Sequence, residues 1–451
     1  MRHRRHHRSQ LNASWPRLVR SIGPVAVVIL LIATLATVAD GRTQPAPTQV
    51  ASPIVSPLPD IAEAAWTGRG RVIRTQPYAD APIDHRDSVL GAAWKSVYAS
   101  VSGVDGQSRE VHGAFFVPTG VPPESGWPVV ALAHGTTGVG NNCGPAEQPD
   151  LMGYGPVIEA LLNSKYAVAL SDYEGLGPTG EHFYLEPRTA AFNTIDGVRA
   201  FRAISSAVSR SWVAFGYSQG GQAAWAANEL DSFYGQGLQF LGSAVLAPAA
   251  NVSGVADLAW SRSMSDEQRA MYPLLITGLA RYNPDLDTAR YLHGTQERAP
   301  RRLSQCEVSS RRTDGPSAAR APWQVIMDRV RESTELAPET ASDVETLRVA
   351  LRKVALPQQR LDAPMLVVTG ASDTLVLPSW VQAATAASCA TGGRVEYVEM
   401  PGVDHRGILW KSSDLVSTWI ADRFAGIVAP SNCVDVEDDS QSSSADGRPP
   451  A

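Results

Sequence analysis

The pentapeptide Gly216-Tyr217-Ser218-Gln219-Gly220 has the spacing of a reactive serine carried on a tight turn. It follows the apolar run Trp212-Val213-Ala214-Phe215, which reads as a strand. It precedes Gly220 to Leu230, which reads as a helix. A serine on such a turn stands in strained backbone, and the glycines two residues to either side remove side chains that would clash. The turn pushes the hydroxyl out at the C-terminal edge of a sheet. The N–H groups of the following helix face the same point and favour developing negative charge there. The bland alternative is an ordinary turn with a capping serine. The strand–turn–helix context favours a nucleophile.

A serine hydroxyl is a weak nucleophile and needs a base. In the chain order that goes with this elbow, an acid follows the serine just past a late strand. A histidine follows the last strand. Asp373 lies just past the apolar run 365–369, and His405 lies just past 395–400. Both are expected at the same sheet edge as Ser218. His405 would accept the serine proton and return one to the leaving group, while Asp373 would orient the imidazole. Asp172, after the run 166–170, is the strongest rival acid. Asp362 precedes its strand and so sits at the wrong edge, and Asp404 is adjacent to His405. Among other histidines, His112 is expected on a hairpin surface, and His182 and His293 fall in loops.

His134-Gly135-Thr136-Thr137-Gly138 follows the all-apolar run Val129 to Ala133. A loop here and the residue after the nucleophile are the expected sources of backbone N–H groups for an oxyanion hole. Those residues are Thr136, or less favourably Thr137, and Gln219. The bland reading is a glycine turn capping a helix. Asp172-Tyr173-Glu174-Gly175-Leu176-Gly177 lacks phosphate-cradling spacing and reads as a structural loop beside the site. Asn12 and Asn251 head N-x-S sequons, to which no role is assigned.

These residues need a scaffold of alternating strands and helices, and the sequence supplies one. Ala93–Val101 and Val111–Val117 read as paired strands joined by a turn at Gly103–Gly106. The short apolar runs 129–133, 166–170, 212–215, 244–247, 365–369 and 395–399 read as strands buried on both faces. Helices are expected at 156–162, 192–208, 220–230 and 415–424. This rhythm predicts an α/β fold with a mainly parallel central sheet and helices on both faces. The stretch 251–361 has no clear core strand. It is read as an insertion, either extra packing helices or a cap over the site. The core is then 63–250 with 362–434.

The chain has 451 residues, 44% of them hydrophobic, with a net charge of -6. No sustained basic patch occurs beyond the extreme N-terminus, so nucleic-acid binding is not expected. Residues 1–39 pair an arginine-rich start with an apolar run from Ile22 to Ala39, ending in small residues. They read as a signal peptide or, if retained, an anchor. Either outcome exports the bulk of the chain, secreted or tied to the cell envelope. Residues 40–62 form a Pro-rich linker, and 435–451 an acidic tail expected to be disordered. The four cysteines include no CxxC pair, so no zinc site is expected. In an exported chain they favour disulfides, for which the reading prefers Cys143–Cys306 and Cys389–Cys433.

The His134–Gly138 loop, the Asp172–Gly177 segment, the helix around Asp196–Ala200 and the elbow at Gly216–Gly221 resemble the secretory lipases of fungi and actinobacteria. The resemblance covers roughly Pro77 to Gly426 and is weakest in the insertion. It implies an α/β-hydrolase fold with a helical cap at 251–361, and a Ser218–Asp373–His405 triad. It implies hydrolysis of carboxylic esters, including triacylglycerols, through an acyl-serine, with no cofactor or metal. The partner would be a lipid or ester small molecule, met in part at a lipid interface through the cap. The same triad also serves acyltransferases and peptidases, and a fold of this kind can persist as a silent binding protein. Oligomeric state is left open.

Overall fold

Val129, Val130, Ala131, Leu132 and Ala133 are all buried, which is why their run carries no polar alternation. They lie in β4 of a nine-stranded sheet in the computed structural model, which describes residues 50–298, 300–301 and 336–433. The leader 1–39, the tail 435–451 and Cys306 lie outside the described residues.

In chain order the elements are α1 (Glu63–Gly68), β1 (Val72–Pro77), α2 (Arg86–Val89), β2 (Leu90–Val101), β3 (Ser108–Pro118), β4 (Trp127–Ala133), α3 (Gly155–Asn163) and β5 (Ala167–Ser171). They continue with α4 (Pro187–Ile204), β6 (Val208–Tyr217), α5 (Gln219–Tyr234), β7 (Gln239–Leu246), α6 (Val255–Trp260) and α7 (Asp266–Ala280). The last are α8 (Ala341–Lys353), β8 (Met365–Gly370), α9 (Pro378–Ala390), β9 (Val395–Met400), α10 (Ile408–Lys411) and α11 (Ser413–Phe424). The sheet order is β1-β2-β3-β5-β4-β6-β7-β8-β9. β1, β2, β3 and β5 pair antiparallel, and every pair from β5 onward is parallel. This is the expected mainly parallel α/β sheet.

The helices cover both faces, each over its own apolar cluster. On one face α4 and α5 pack together, burying Phe192, Ile195, Phe201, Trp225 and Leu230. On the other, α3 and α11 bury Ile158, Leu162, Trp419 and Ile420. α4 starts at Pro187, earlier than its apolar periodicity suggests. Glu186 caps it, its carboxylate accepting from the Thr189 N–H, and proline suits the first helical position.

Between β7 and β8 the described residues form α6, α7 and α8 and add no strand to the sheet. The described part of the expected linker is extended but tied down. The Ile54 N–H donates to the Arg352 carbonyl, and the Asn251 amide donates to the Ala51 carbonyl. Cys389 at the end of α9 is disulfide-bonded to Cys433. Among the described residues, no helix is long and apolar enough to cross a membrane.

Candidate active site

Register sets the site. Ala133 of β4 pairs with Gly216 of β6, so the loop after β4 emerges beside the turn after β6. Tyr217 pairs with Leu246 of β7, and the Ser218 N–H donates to the Leu246 carbonyl. Gly370 of β8 pairs with Met400 of β9. Asp373 and His405 therefore follow the same sheet edge a few residues later.

Ser218 takes φ 57° and ψ -117°, a conformation that costs a non-glycine residue on the order of 1–3 kcal/mol. The neighbouring glycines make it possible. A Cβ on Gly216 would stand 1.9 Å from the Gly220 carbonyl oxygen, and one on Gly220 1.9 Å from the Ala133 carbonyl oxygen. Both obstacles are backbone, so neither can give way cheaply. The close approach presses the start of α5 against the end of β4 and brings the serine to the helix N-terminus.

His405 Nε2 lies 3.0 Å from Ser218 Oγ, and its Nδ1 lies 2.7 Å from Asp373 Oδ2. Asp373 Oδ1 accepts from the Leu375 and Val376 N–H groups, at 2.9 Å each. The carboxylate is thus fixed by two backbone donors and can only accept from the imidazole. Nδ1 must donate to it, which leaves Nε2 as the acceptor for the serine hydroxyl. All three side chains are buried. The loops carrying the acid and the histidine are tied together, the Ser372 N–H donating to the Val403 carbonyl. Tyr217 packs its ring 5.1 Å from that of His405.

The rival residues go elsewhere. Asp172 is buried and accepts from the Ala146 N–H, while the His405 imidazole takes Asp373 as its partner. Asp404 accepts from the Gly407 N–H, and Asp362 from the Ser232 N–H at the other end of β8. His112 pairs with Glu147, and His293 Nε2 donates to the Ala337 carbonyl, 2.9 Å away.

The segment 173–184 supports the site: its first part is the structural loop expected at 172–177, and the roles of His182 and Tyr184 are added by the fold. Gln219, the first residue of α5, places its side-chain Nε2 3.0 Å from His182 Nε2. His182 Nδ1 donates to the Glu174 carbonyl, so its Nε2 accepts from the Gln219 amide. Thr136 Oγ1 lies 2.8 Å from the Tyr184 hydroxyl. Tyr173 donates to the His134 carbonyl and stacks on its ring, and the Gly135 N–H donates to the Tyr154 hydroxyl. Burial holds these histidines neutral, pushing the His182 pKa down to about 3 and that of His134 to about 4. Nothing in the spacing of His182 or Tyr184 marks them out, because loop residues reach their partners only through the tertiary fold.

Two cavities open at Ser218. One is narrow and apolar, of about 60 Å³, and runs under α7. The other, of about 270 Å³, is lined by Tyr154, Glu267, His405, Arg406 and Trp410. Among the described residues no cluster of histidine, cysteine or carboxylate side chains has the makings of a metal site.

Comparison with known proteins places this geometry in a context. Residues 154–432 match the family model described as secretory lipase. Candida antarctica lipase A in its closed state is similar in structure, with a TM-score of 0.63 at 14% identity, over 82% of this chain and 86% of that one. The rice cell wall degrading esterase LipA from Xanthomonas oryzae gives 0.61 at 19% identity, over 79% and 98%. A putative hydrolase from Legionella pneumophila gives 0.53 at 15% identity, over 77% and 97%. No curated protein matches the sequence.

Proposed function

The chain belongs to the secretory lipase family and is a carboxylic ester hydrolase of the α/β-hydrolase fold, and from that premise we propose that Ser218, His405 and Asp373 carry its chemistry. One observation carries this reading. Ser218, strained on the elbow, hydrogen-bonds an imidazole whose other nitrogen is locked to a fixed carboxylate.

The steps follow from that arrangement. Ser218 Oγ bonds to the ester carbonyl carbon as its proton passes to His405 Nε2. The carbonyl π electrons move to oxygen, and the oxyanion is met by the backbone N–H groups of Gln219 and Thr136. Each such donor is worth about 3–4 kcal/mol in the transition state. Collapse breaks the bond to the alcohol oxygen, which takes the proton from His405. Water then repeats the cycle on acyl-Ser218 and releases the acid. The Asp373 carboxylate stabilises the imidazolium. Support for Gln219 and Thr136 comes from their side chains, which His182 and Tyr184 hold in place.

We further infer that the insertion acts as a cap. α7 supplies Glu267, Met271 and Leu275 to the cavity walls, and Trp260 on α6 is 48% exposed, as a contact to a lipid interface requires. Export is inferred from the leader and from the Cys389–Cys433 bond, which needs an oxidising compartment.

A fluorophosphonate probe tests the nucleophile directly. Labelling should fall on the peptide containing Ser218 and vanish in Ser218→Ala. Labelling of another serine would overturn the assignment.

A further inference from the structure

We propose that the narrow cavity under α7 is the acyl site and the wider cleft the alcohol site, so that the enzyme takes esters of short acids, acetyl to butyryl, with a larger alcohol. This rests on the triad reading above and adds a substrate class to it.

The assignment comes from where the protons must go. Thr136, Ser218, Met271 and Leu375 line both cavities, so an ester carbonyl seated at Ser218 sends one substituent into each. The two substituents differ in their needs. The alcohol oxygen must take a proton from His405 Nε2 as its bond to carbon breaks, so it lies on the His405 side. His405 lines only the wider cleft, beside Arg406 and Trp410. The acyl chain needs no proton and needs an apolar wall. The other cavity provides it, with Val252, Val255, Leu275 and Val376.

Size then sets the acyl length. A cavity of about 150 Å³ lined by apolar side chains holds benzene, with six carbons. The narrow cavity has about 60 Å³, under half of that, which is room for roughly two to three carbons beyond the carbonyl. Its walls are set by packing, since Val252, Val255, Leu275 and Val376 are buried. The cleft has about 270 Å³, and its mouth carries Trp410, 55% exposed, and the Arg406–Glu267 pair at 3.8 Å. It suits a bulky alcohol with both apolar and polar surface.

The test is a series of p-nitrophenyl esters, acetate, butyrate, octanoate and laurate, read as kcat/KM with the full chain. A second series holds acetate fixed and varies the alcohol from ethanol to a naphthol. Wild type should peak at acetate or butyrate and fall at least thirtyfold by laurate. Leu275→Ala should move the optimum towards octanoate and leave the alcohol preference unchanged. Val255→Ala offers the same readout should Leu275→Ala fold poorly. Trp410→Ala should change the alcohol preference and leave the acyl profile alone. A wild-type optimum at octanoate or laurate would overturn the proposal while leaving the triad reading intact. So would a Leu275→Ala variant that changes only alcohol selectivity. If wild type cleaves no ester and no probe reaches Ser218, the triad reading fails and the acyl assignment falls with it.

Discussion

Replacing His182 by phenylalanine tests whether the loop 173–184 holds the oxyanion-binding end of α5. Phenylalanine keeps a ring in the place that stacks near Tyr173 but cannot accept a hydrogen bond. The Gln219 side chain, 2% exposed, then loses the partner of its Nε2. An unsatisfied buried amide costs about 1–3 kcal/mol, which Gln219 can relieve only by moving. Its backbone N–H moves with it. An oxyanion donor is worth about 3–4 kcal/mol, so losing a third to two thirds of one lowers kcat by roughly 10- to 100-fold. KM should change much less, because the donor works on the transition state rather than the bound ester. The assay is steady-state hydrolysis of p-nitrophenyl acetate, normalised to folded protein. Gln219→Leu keeps the backbone N–H and removes the amide that needs His182. The double variant His182→Phe/Gln219→Leu should therefore recover at least ~1 kcal/mol relative to additivity. Two results would refute the reasoning: a kcat within twofold of wild type, or strictly additive losses. His182 is on this account a positioning residue, acting through Gln219.

Three further outcomes are expected. Asp373→Asn keeps the shape but lets the amide donate towards Nδ1, which favours the wrong imidazole tautomer. kcat should fall by about 10³–10⁴ with little loss of stability, measured by hydrolysis and thermal melting. Reduction-proof Cys389→Ser/Cys433→Ser should lose up to ~4 kcal/mol of stability, the loop entropy for a separation of 44 residues, while kcat stays near wild type. Acid should act through buried His182. Its folded pKa of about 3 lies below the unfolded value of about 6.5, so its stability contribution is present above pH ~6.5 and lost as pH falls towards 3. The difference in unfolding free energy between wild type and His182→Gln should shift by about 1.4 kcal/mol per pH unit in that window, to the disadvantage of wild type; a pH-independent difference would contradict it.

The buried strands were the legible part of the fold. β4 to β8 announce themselves as apolar runs because both of their faces are covered, so no alternation competes with the reading. β1 escaped notice for the opposite reason. Val-Ile-Arg-Thr-Gln-Pro is half-buried at Val72 and otherwise exposed, and only its pairing with β2 makes it a strand. The first turn of α4, before Phe192, was hidden because Pro187, Arg188 and Thr189 carry no apolar periodicity and the helix start is set by Glu186, whose carboxylate accepts from the Thr189 N–H. α9 did leave a trace, with proline at its start and Trp380, Val381, Ala384, Thr385 and Ser388 buried at helical spacing. Within the site, chain order pointed to Ser218, Asp373 and His405, which the structure brings within hydrogen-bonding distance. The supports were not legible. His182 reaches Gln219 across 37 residues and Tyr184 reaches Thr136 across 48, and no local pattern encodes either contact.

The central claim is that Ser218 performs ester hydrolysis, and the most direct measurement is kcat for p-nitrophenyl butyrate with wild type and Ser218→Ala side by side. The account predicts turnover by wild type and a fall of at least about 10³-fold in the variant, with its melting temperature close to that of wild type because the strained backbone at 218 is the same with alanine. A folded Ser218→Ala protein that retains activity within tenfold of wild type would contradict it.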